Sequence, residues 1–392
     1  MLARFWIDNF KSLIDFDFPP KSDDEGLSKF ICLVGLNGAG KSTILQAFDF
    51  IAHLPAGRLE DWLKERRWKK SDLASKLGNR STIRFKLTIN WAERQLVWSG
   101  IFNINTLRCT TETIRVDDEK SLRVHKGVLE YLTETSKGMD KTIISTEDLE
   151  YQGSVLSILK IDSKTSPSIA AVKEFAIGLK SLELLNPQLI KNRAREAEDI
   201  GIGGEKLTAY LYSMSHAMRT KVIDQLKVFY PRVLSGTSGN VQAGWKTFKV
   251  AEAYSKATKE KFETETIHLN DGMLRILAII TQMQSEKSFI LLDEIENGIN
   301  PELIERLMDY LVGVQRQIIV TTHSPMILNY LEDDIAKKGV FLISKNESGV
   351  SRCARFFRHP MALKKLAALG PGEVFIDSDL ESIGSDLEKI TP

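Results

Sequence analysis

Apolar residues near the start of the chain alternate with polar ones: Leu2, Phe5, Ile7 and Phe10, then Leu13, Phe16 and Phe18. That period of two predicts a pair of half-buried strands over residues 2–18. Pro19-Pro20 and the turn-forming run Ser22–Gly26 end it. Phe30-Ile31-Cys32-Leu33-Val34 is a continuous apolar run, as expected of a strand buried on both faces. From Thr43 the period lengthens to that of a helix, which should stop near Leu54, before Pro55-Ala56-Gly57. Residues 59–77 read as a polar, basic amphipathic helix or loop. Ile83–Ile89 alternates cleanly as a half-exposed strand, and further strands are expected at Gln95–Trp98, Leu107–Arg115 and Ser154–Ile161. Residues 170–230 read as helical with breaks at Asn186-Pro187 and Gly201–Gly204, and Pro231–Gly244 as turn-rich. Beyond them the pattern predicts strands at Lys246–Ala253, Thr264–Leu269, Phe289–Leu292, Gln317–Thr321 and Val340–Ser344. Helices Leu274–Gln282 and Pro301–Val314 are expected among these. Strands alternating with helices imply an α/β fold with a parallel sheet in this half of the chain.

The 392 residues are enough for one large core or two to three smaller ones. A formal net charge of +1 gives no global signal for nucleic acid. The three cysteines, Cys32, Cys109 and Cys353, are far apart, which excludes a disulfide framework and fits a reducing cytosol. No apolar run reaches the ~18 residues that span a membrane, and the N-terminus lacks a signal-peptide pattern. A cytoplasmic protein without a membrane partner is expected.

The buried run Phe30–Val34 leads into Gly35-Leu36-Asn37-Gly38-Ala39-Gly40-Lys41-Ser42 and then Thr43. A glycine-rich turn alone need bind nothing. Here strand, glycines, Lys-Ser and helix stand in the order of a phosphate loop. Backbone N–H groups from Asn37 to Thr43 can point at phosphate oxygens, Lys41 can reach β- and γ-phosphates, and Ser42 can ligate Mg²⁺. The run Phe289–Leu292 ends in Asp293-Glu294, followed by Ile295-Glu296-Asn297-Gly298-Ile299-Asn300-Pro301. Asp293 is placed to hold Mg²⁺ and Glu294 to polarise an attacking water. The strand Gln317–Thr321 ends at Thr322-His323-Ser324-Pro325, where a histidine can sense the γ-phosphate. Asn270-Asp271-Gly272 precedes an apolar helix; it is either an ordinary N-cap or a second anion-binding device.

These motifs together resemble the ABC-type ATPases of the RecF/OLD-like group, relatives of SMC heads. The resemblance takes in Asn9-Phe10-Lys11-Ser12-Leu13, the phosphate loop, Leu269–Gly272, Asp293–Pro301 and Thr321–Pro325. It also takes in Gly203–Leu211 with Phe229-Tyr230-Pro231. It implies an ABC ATPase head with a β-rich N-terminal lobe (1–165) and an inserted helical subdomain (166–235). A C-terminal lobe (236–350) and a docking tail (351–392) would follow. The stretch between Ser42 and Asn270 has no sustained heptads, so no long coiled coil is expected. By the same resemblance, ATP and Mg²⁺ are bound and two copies sandwich each nucleotide. Lys41 and Ser42 of one copy would face Asn270, Asp271 and Gly272 of the other. Asn297, Gly298 and Asn300 would form the D-loop, Glu294 and His323 would be catalytic, and Asn270 in place of the usual Ser would slow turnover. Gln95 is a weak candidate for the Q-loop. A homodimer or higher even oligomer is implied. Asp377-Ser378-Asp379 mimics part of a Toprim nuclease, but the segment after His323 is too short for that module.

Stand-alone ATPases of this kind resemble subunits of bacterial anti-phage or toxin–antitoxin-like systems, with a separate effector such as a nuclease. The alternative is a RecF-like DNA-repair ATPase that clamps duplex DNA. Arg66-Arg67-Trp68-Lys69-Lys70 favours that alternative unless it is a solvated helix face. The missing Q-loop and the Asn9–Leu13 opening argue against a transporter subunit.

Overall fold

The computed structural model describes residues 1–135, 138–147, 149–182, 185–253, 261–285 and 289–390. Its centre is a six-stranded sheet. In spatial order the strands are Leu179–Leu182, Phe289–Leu292, Gln317–Thr321, Phe30–Val34, Val340–Lys345 and Ser351–Arg355. The first five run parallel and the last is antiparallel to its neighbour. The unbroken apolar run Phe30–Val34 serves two cores at once. Ile31 and Leu33 point to one side; Phe30, Cys32 and Val34 point to the other.

On the first side, helix Lys41–His53 lies between this sheet and an eight-stranded antiparallel sheet. The second sheet runs Phe16–Phe18, Leu2–Asp8, Thr82–Trp91, Arg94–Asn103, Arg108–Val116, Glu119–His125, Val128–Thr135, Gly138–Ser145. Phe48 on the helix joins both layers, with ring centroids 4.4 Å from Phe5 and 5.5 Å from Phe289. The Gln317 side chain adds a polar joint. It accepts from Leu2 N at 2.8 Å and donates to Leu2 O at 2.9 Å and Ser28 O at 3.0 Å. On the second side, helix Asp271–Met283 and helix Pro301–Gly313 cover the parallel sheet. Helices Leu207–Ser213 and His216–Phe229 pack there with a three-stranded sheet, Val233–Asn240, Lys246–Glu252 and Phe262–Glu265. The longest helix described has 14 residues, so no coiled coil is present among the described residues.

Several elements differ from the sequence-based expectation. Asn9–Leu13 is the turn of the first hairpin, closed by Phe10 and Leu13. Ser154–Ile161 is a loop with one tight turn, Val155–Ser157, because the buried Glu112 carboxylate gathers Trp98 Nε1 (2.9 Å), Val155 N (3.1 Å) and Ser154 Oγ. Leu179–Leu182, inside the stretch read as helical, is an edge strand; four residues are too few to show a period. Residues 191–206 carry no helix. Val233–Asn240 is a strand despite its glycines, because Gly236 makes room for Phe248 and Ile223 beneath it. Of Thr264–Leu269 only the first part is strand; Thr266–His268 is a tight turn. Among the described residues, the three strands within 119–145 bury only Leu122, Val124 and Leu129 fully, too few apolar positions for a strand pattern to show.

Residues 351–392, expected to be a docking tail, supply the edge strand and helices Pro360–Leu366, Pro371–Ile376 and Leu380–Ile390. Their Phe356, Phe357, Ala362, Val374, Ile383 and Leu387 belong to the core. Among the described residues no helix is long and apolar enough to cross a membrane.

Candidate nucleotide site

The C-terminal ends of three adjacent parallel strands carry the phosphate loop, Asp293-Glu294 and His323. In open α/β sheets this edge is where ligands bind. The loop needs glycine at two points in particular. At Gly40 (φ 113°) a Cβ would lie 2.3 Å from Ser351 Oγ. At Gly38 (φ 76°) nothing lies within 4 Å of such a Cβ, so that face of the loop is open. Ser351 braces the loop from behind: its Oγ lies 2.7 Å from Ala39 O and 2.8 Å from Ser12 Oγ, and its N donates to Ser12 O at 2.9 Å. Ser12 of the opening motif therefore acts through Ser351, a partner that no local motif singles out.

Lys41 opens the helix after the loop and is 4% exposed. Its Nζ donates to Gly35 O at 2.7 Å and Leu36 O at 3.2 Å, and lies 3.4 Å from His323 Nδ1. Burial lowers its pKa, while Asp293, Glu294 and Glu296 oppose that shift. Asp293 accepts hydrogen bonds from Thr321 Oγ1 and Ser42. Burial raises its pKa, the two hydrogen bonds lower it, Glu294 adds to the rise and Lys41 counters it. Glu294 has a left-handed backbone (φ 47°) and donates its N–H to Thr321 Oγ1 at 2.9 Å. Its carboxylate reaches His323 Nε2 at 3.5 Å and Asn297 Nδ2 at 3.1 Å. Thr321, on the strand between the two motif-bearing strands, thus orients both acids.

A cavity of ≈ 420 Å³ has Asn37, Gly38, Gly40, Lys41, Ser42 and Thr43 on one side, with Glu294 and His323 opposite. No residue of 270–272 lines it. Asn270 caps helix Asp271–Met283 by accepting from Met273 N at 2.8 Å, and Asp271 pairs with Lys191 at 2.9 Å. A Cβ on Gly272 would be 3.2 Å from Gly298 O, so the Asn270–Gly272 turn and the Asn297–Asn300 loop form one exposed face.

Glu296 escaped the sequence reading. Its Oε1 accepts from Thr322 Oγ1 (3.0 Å), His323 N (2.8 Å) and Ser324 N (3.1 Å), while Oε2 is buried without a partner. The signal was the third acid of Asp293-Glu294-Ile295-Glu296, two residues after the catalytic candidate. Gln95 is an exposed residue near the start of strand Arg94–Asn103, donates its N–H to Asp117 Oδ1 at 2.9 Å and does not line the cavity. Arg66 of the basic run is buried and paired with Asp49 at 2.5 Å. Trp68 is covered by Lys11 Nζ at 3.3 Å and Arg66 at 4.7 Å, and Lys70 pairs with Glu60 at 3.5 Å. Asp377 pairs with Lys365 at 3.0 Å and Asp379 caps Glu381 N at 3.1 Å. Among the described residues no group of three or more His, Cys, Asp or Glu is arranged for a metal.

The donor set fits a nucleoside triphosphate with Mg²⁺. The loop has an open cradle at Gly38, a cation beneath it, and one hydroxyl and one carboxylate in contact, the sparse protein ligation Mg²⁺ uses beside phosphates. The fold is that of solved SMC head domains, and the strand–glycine loop–Lys-Ser–helix arrangement is that of a phosphate loop. The family model described as "AAA domain, putative AbiEii toxin, Type IV TA system" matches residues 259–329, which hold Asn270–Gly272, Asp293, Glu294 and His323. The chain is similar to an SMC head bound to the C-winged helix domain of ScpA. Identity is 15%, TM-score 0.53, over 90% of this chain and 96% of that one. It is also similar to the Pyrococcus furiosus SMC head with an extended coiled coil, bound to the C-terminal domain of ScpA. There identity is 12%, TM-score 0.52, over 93% of this chain and 99% of that one. No curated protein matches the sequence.

Proposed function

We propose that the chain binds and slowly hydrolyses ATP, and that nucleotide state joins and parts two copies to control a separate effector. A bacterial anti-phage or toxin–antitoxin-like system is the setting. The observation that carries the reading is the convergence of Lys41, Ser42, Asp293, Glu294 and His323 on one sheet edge.

The roles follow from the contacts. Lys41 rests on two backbone carbonyls, which are weaker acceptors than phosphate oxygens, so it can exchange them for a triphosphate. Ser42 and Asp293 would hold Mg²⁺, which when bound neutralises charge on phosphoryl oxygens. Glu294 takes a proton from the attacking water, and His323, within reach of both Glu294 and Lys41, steadies the acid at the phosphate end. Asn270, Asp271 and Gly272 lie outside the cavity with Asn297, so a second copy has to present them to the nucleotide. That supports a homodimer or higher even oligomer in the cytoplasm. The AbiEii-type description and the two SMC heads solved with a ScpA domain support a protein effector. Burial of Arg66 takes one of four basic residues away from the duplex-clamping alternative, while Arg67, Lys69 and Lys70 stay exposed.

Lys41→Ala is expected to abolish productive ATP binding. Glu294→Gln should bind ATP normally, lose at least about 100-fold in turnover and accumulate an ATP-dependent dimer in light scattering. Parental hydrolysis by Glu294→Gln would remove the assigned base. An unchanged mass and unchanged co-purifying proteins with and without ATP would remove the switch.

A further inference from the structure

The tip joining strands Val233–Asn240 and Lys246–Glu252 shares no residue with the phosphate-loop cavity. Val241 N closes it on Trp245 O at 2.9 Å, and residues 242–245 are all exposed. Ala243 there has a left-handed backbone (φ 61°), a costly conformation for a residue with a Cβ and one that clusters at functional sites.

Two aromatic rings emerge at this tip, and each carries a cation. Trp245 is 38% exposed, with the Arg195 guanidinium 4.9 Å from its ring centre. Tyr212 is 37% exposed, with Lys246 Nζ 4.2 Å from its ring centre. Lys246 N donates to Ala194 O at 2.9 Å, which seats the segment carrying Arg195 against the tip. Asn240 fixes the second pair: it accepts from Lys246 Nζ and donates to Tyr212 OH at 3.0 Å.

Charge at this corner is unbalanced. Lys191 and Arg193, on the same segment as Arg195, are neutralised by Asp271 at 2.9 Å and Glu265 at 2.7 Å. Among the described residues no carboxylate pairs with Arg195 or Lys246. A ring beside an unneutralised cation, twice over, matches a ligand that repeats a flat base beside a phosphate. Successive residues of an extended chain point to opposite sides, so Trp245 and Lys246 set the two pairs on the two flanks of the tip. A ligand that touches both has to bend round it. A single strand does so freely and a stiff duplex does not.

We propose that this tip binds single-stranded nucleic acid, with bases stacked on Trp245 and Tyr212 and phosphates held by Arg195 and Lys246. RNA and DNA share that chemistry.

The test is fluorescence anisotropy on the full chain without ATP, using labelled oligouridylate, labelled oligothymidylate and a DNA duplex of equal length. One of the single strands should bind more tightly than the duplex, and the tighter one names the source. Trp245→Ala and Tyr212→Ala should each weaken that strand about tenfold at an unchanged denaturant midpoint. Arg195→Gln should weaken it too and flatten its salt dependence. Lys41→Ala should bind it as the parent does, so failure of the ATP reading leaves this site standing. Binding of neither strand, duplex binding as tight as strand binding, or unchanged affinity in both ring variants overturns the proposal. Displacement of the strand by polyglutamate at equal charge also overturns it, since the tip would then suit an acidic protein.

Discussion

Glu296 holds Thr322, His323 and Ser324 on a single carboxylate oxygen, so the histidine loop cannot move independently of the acidic loop. Placement of His323 then depends on a residue that does not line the cavity. Glu296→Ala is expected to lower kcat about 100-fold with ATP affinity little changed. Glu296→Gln, which keeps one oxygen, should restore much of the rate. Parallel loss of affinity and rate in both variants would make Glu296 a stability residue only. A second residue-scale effect concerns acid stability. Burial pushes the Asp8 carboxyl up, but hydrogen bonds from Arg80, Arg84 and Asp15 N outweigh it and bring the pKa down to about 2. The unfolded value is about 3.9, so Asp8 stabilises the fold fully above that pH. The contribution fades as pH falls through the folded value. Urea midpoints of the parent should drop more than those of Asp8→Asn between about pH 4 and pH 2.

At the scale of elements, the long runs and the punctuated ones were readable. Phe30–Val34, Phe289–Leu292 and Gln317–Thr321 needed only apolar continuity, and helix Lys41–His53 needed only its loop and its stop at Pro55. Leu179–Leu182 was hidden because its β structure comes from pairing with Phe289–Leu292, more than a hundred residues away. Ser154–Ile161 was misread because Glu112 bends it. Gln317 looked like an ordinary strand residue, yet it bridges two layers through Leu2 and Ser28. Gln317→Met keeps the volume and strands the buried Leu2 N–H. Its destabilisation should be about 1–3 kcal/mol, measured as a lowered denaturant midpoint at unchanged slope. No shift would mean that the two layers are joined by packing alone.

For the whole molecule, the phosphate-loop cavity and the face carrying Asn270–Gly272 are separate surfaces of one chain. Sites completed by a second copy have a distinctive consequence. Lys41→Ala and Gly272→Asp chains should each be inactive, and mixing them should restore up to about half of the parental sites, because one interface of each mixed dimer is intact. No recovery on mixing, with both chains folded, would place the complete site within one protomer. The C-terminal helices belong to the same question of scale. Residues 351–392 were read as a docking tail, and their helices contribute Phe356, Phe357, Ala362, Val374, Ile383 and Leu387 to the core.

The sequence by itself determined the ligand-facing chemistry: a glycine loop, Lys41-Ser42, two acids and a histidine at strand ends, each set by local order and spacing. Only the tertiary structure decided how these groups are aimed. Thr321, Ser351, Glu296 and Gln317 act through hydrogen bonds to residues far along the chain, and no local pattern records such partners. The same holds for Arg66. Its charge was plain in the sequence, but its fate was settled by a buried Asp49 on a different helix.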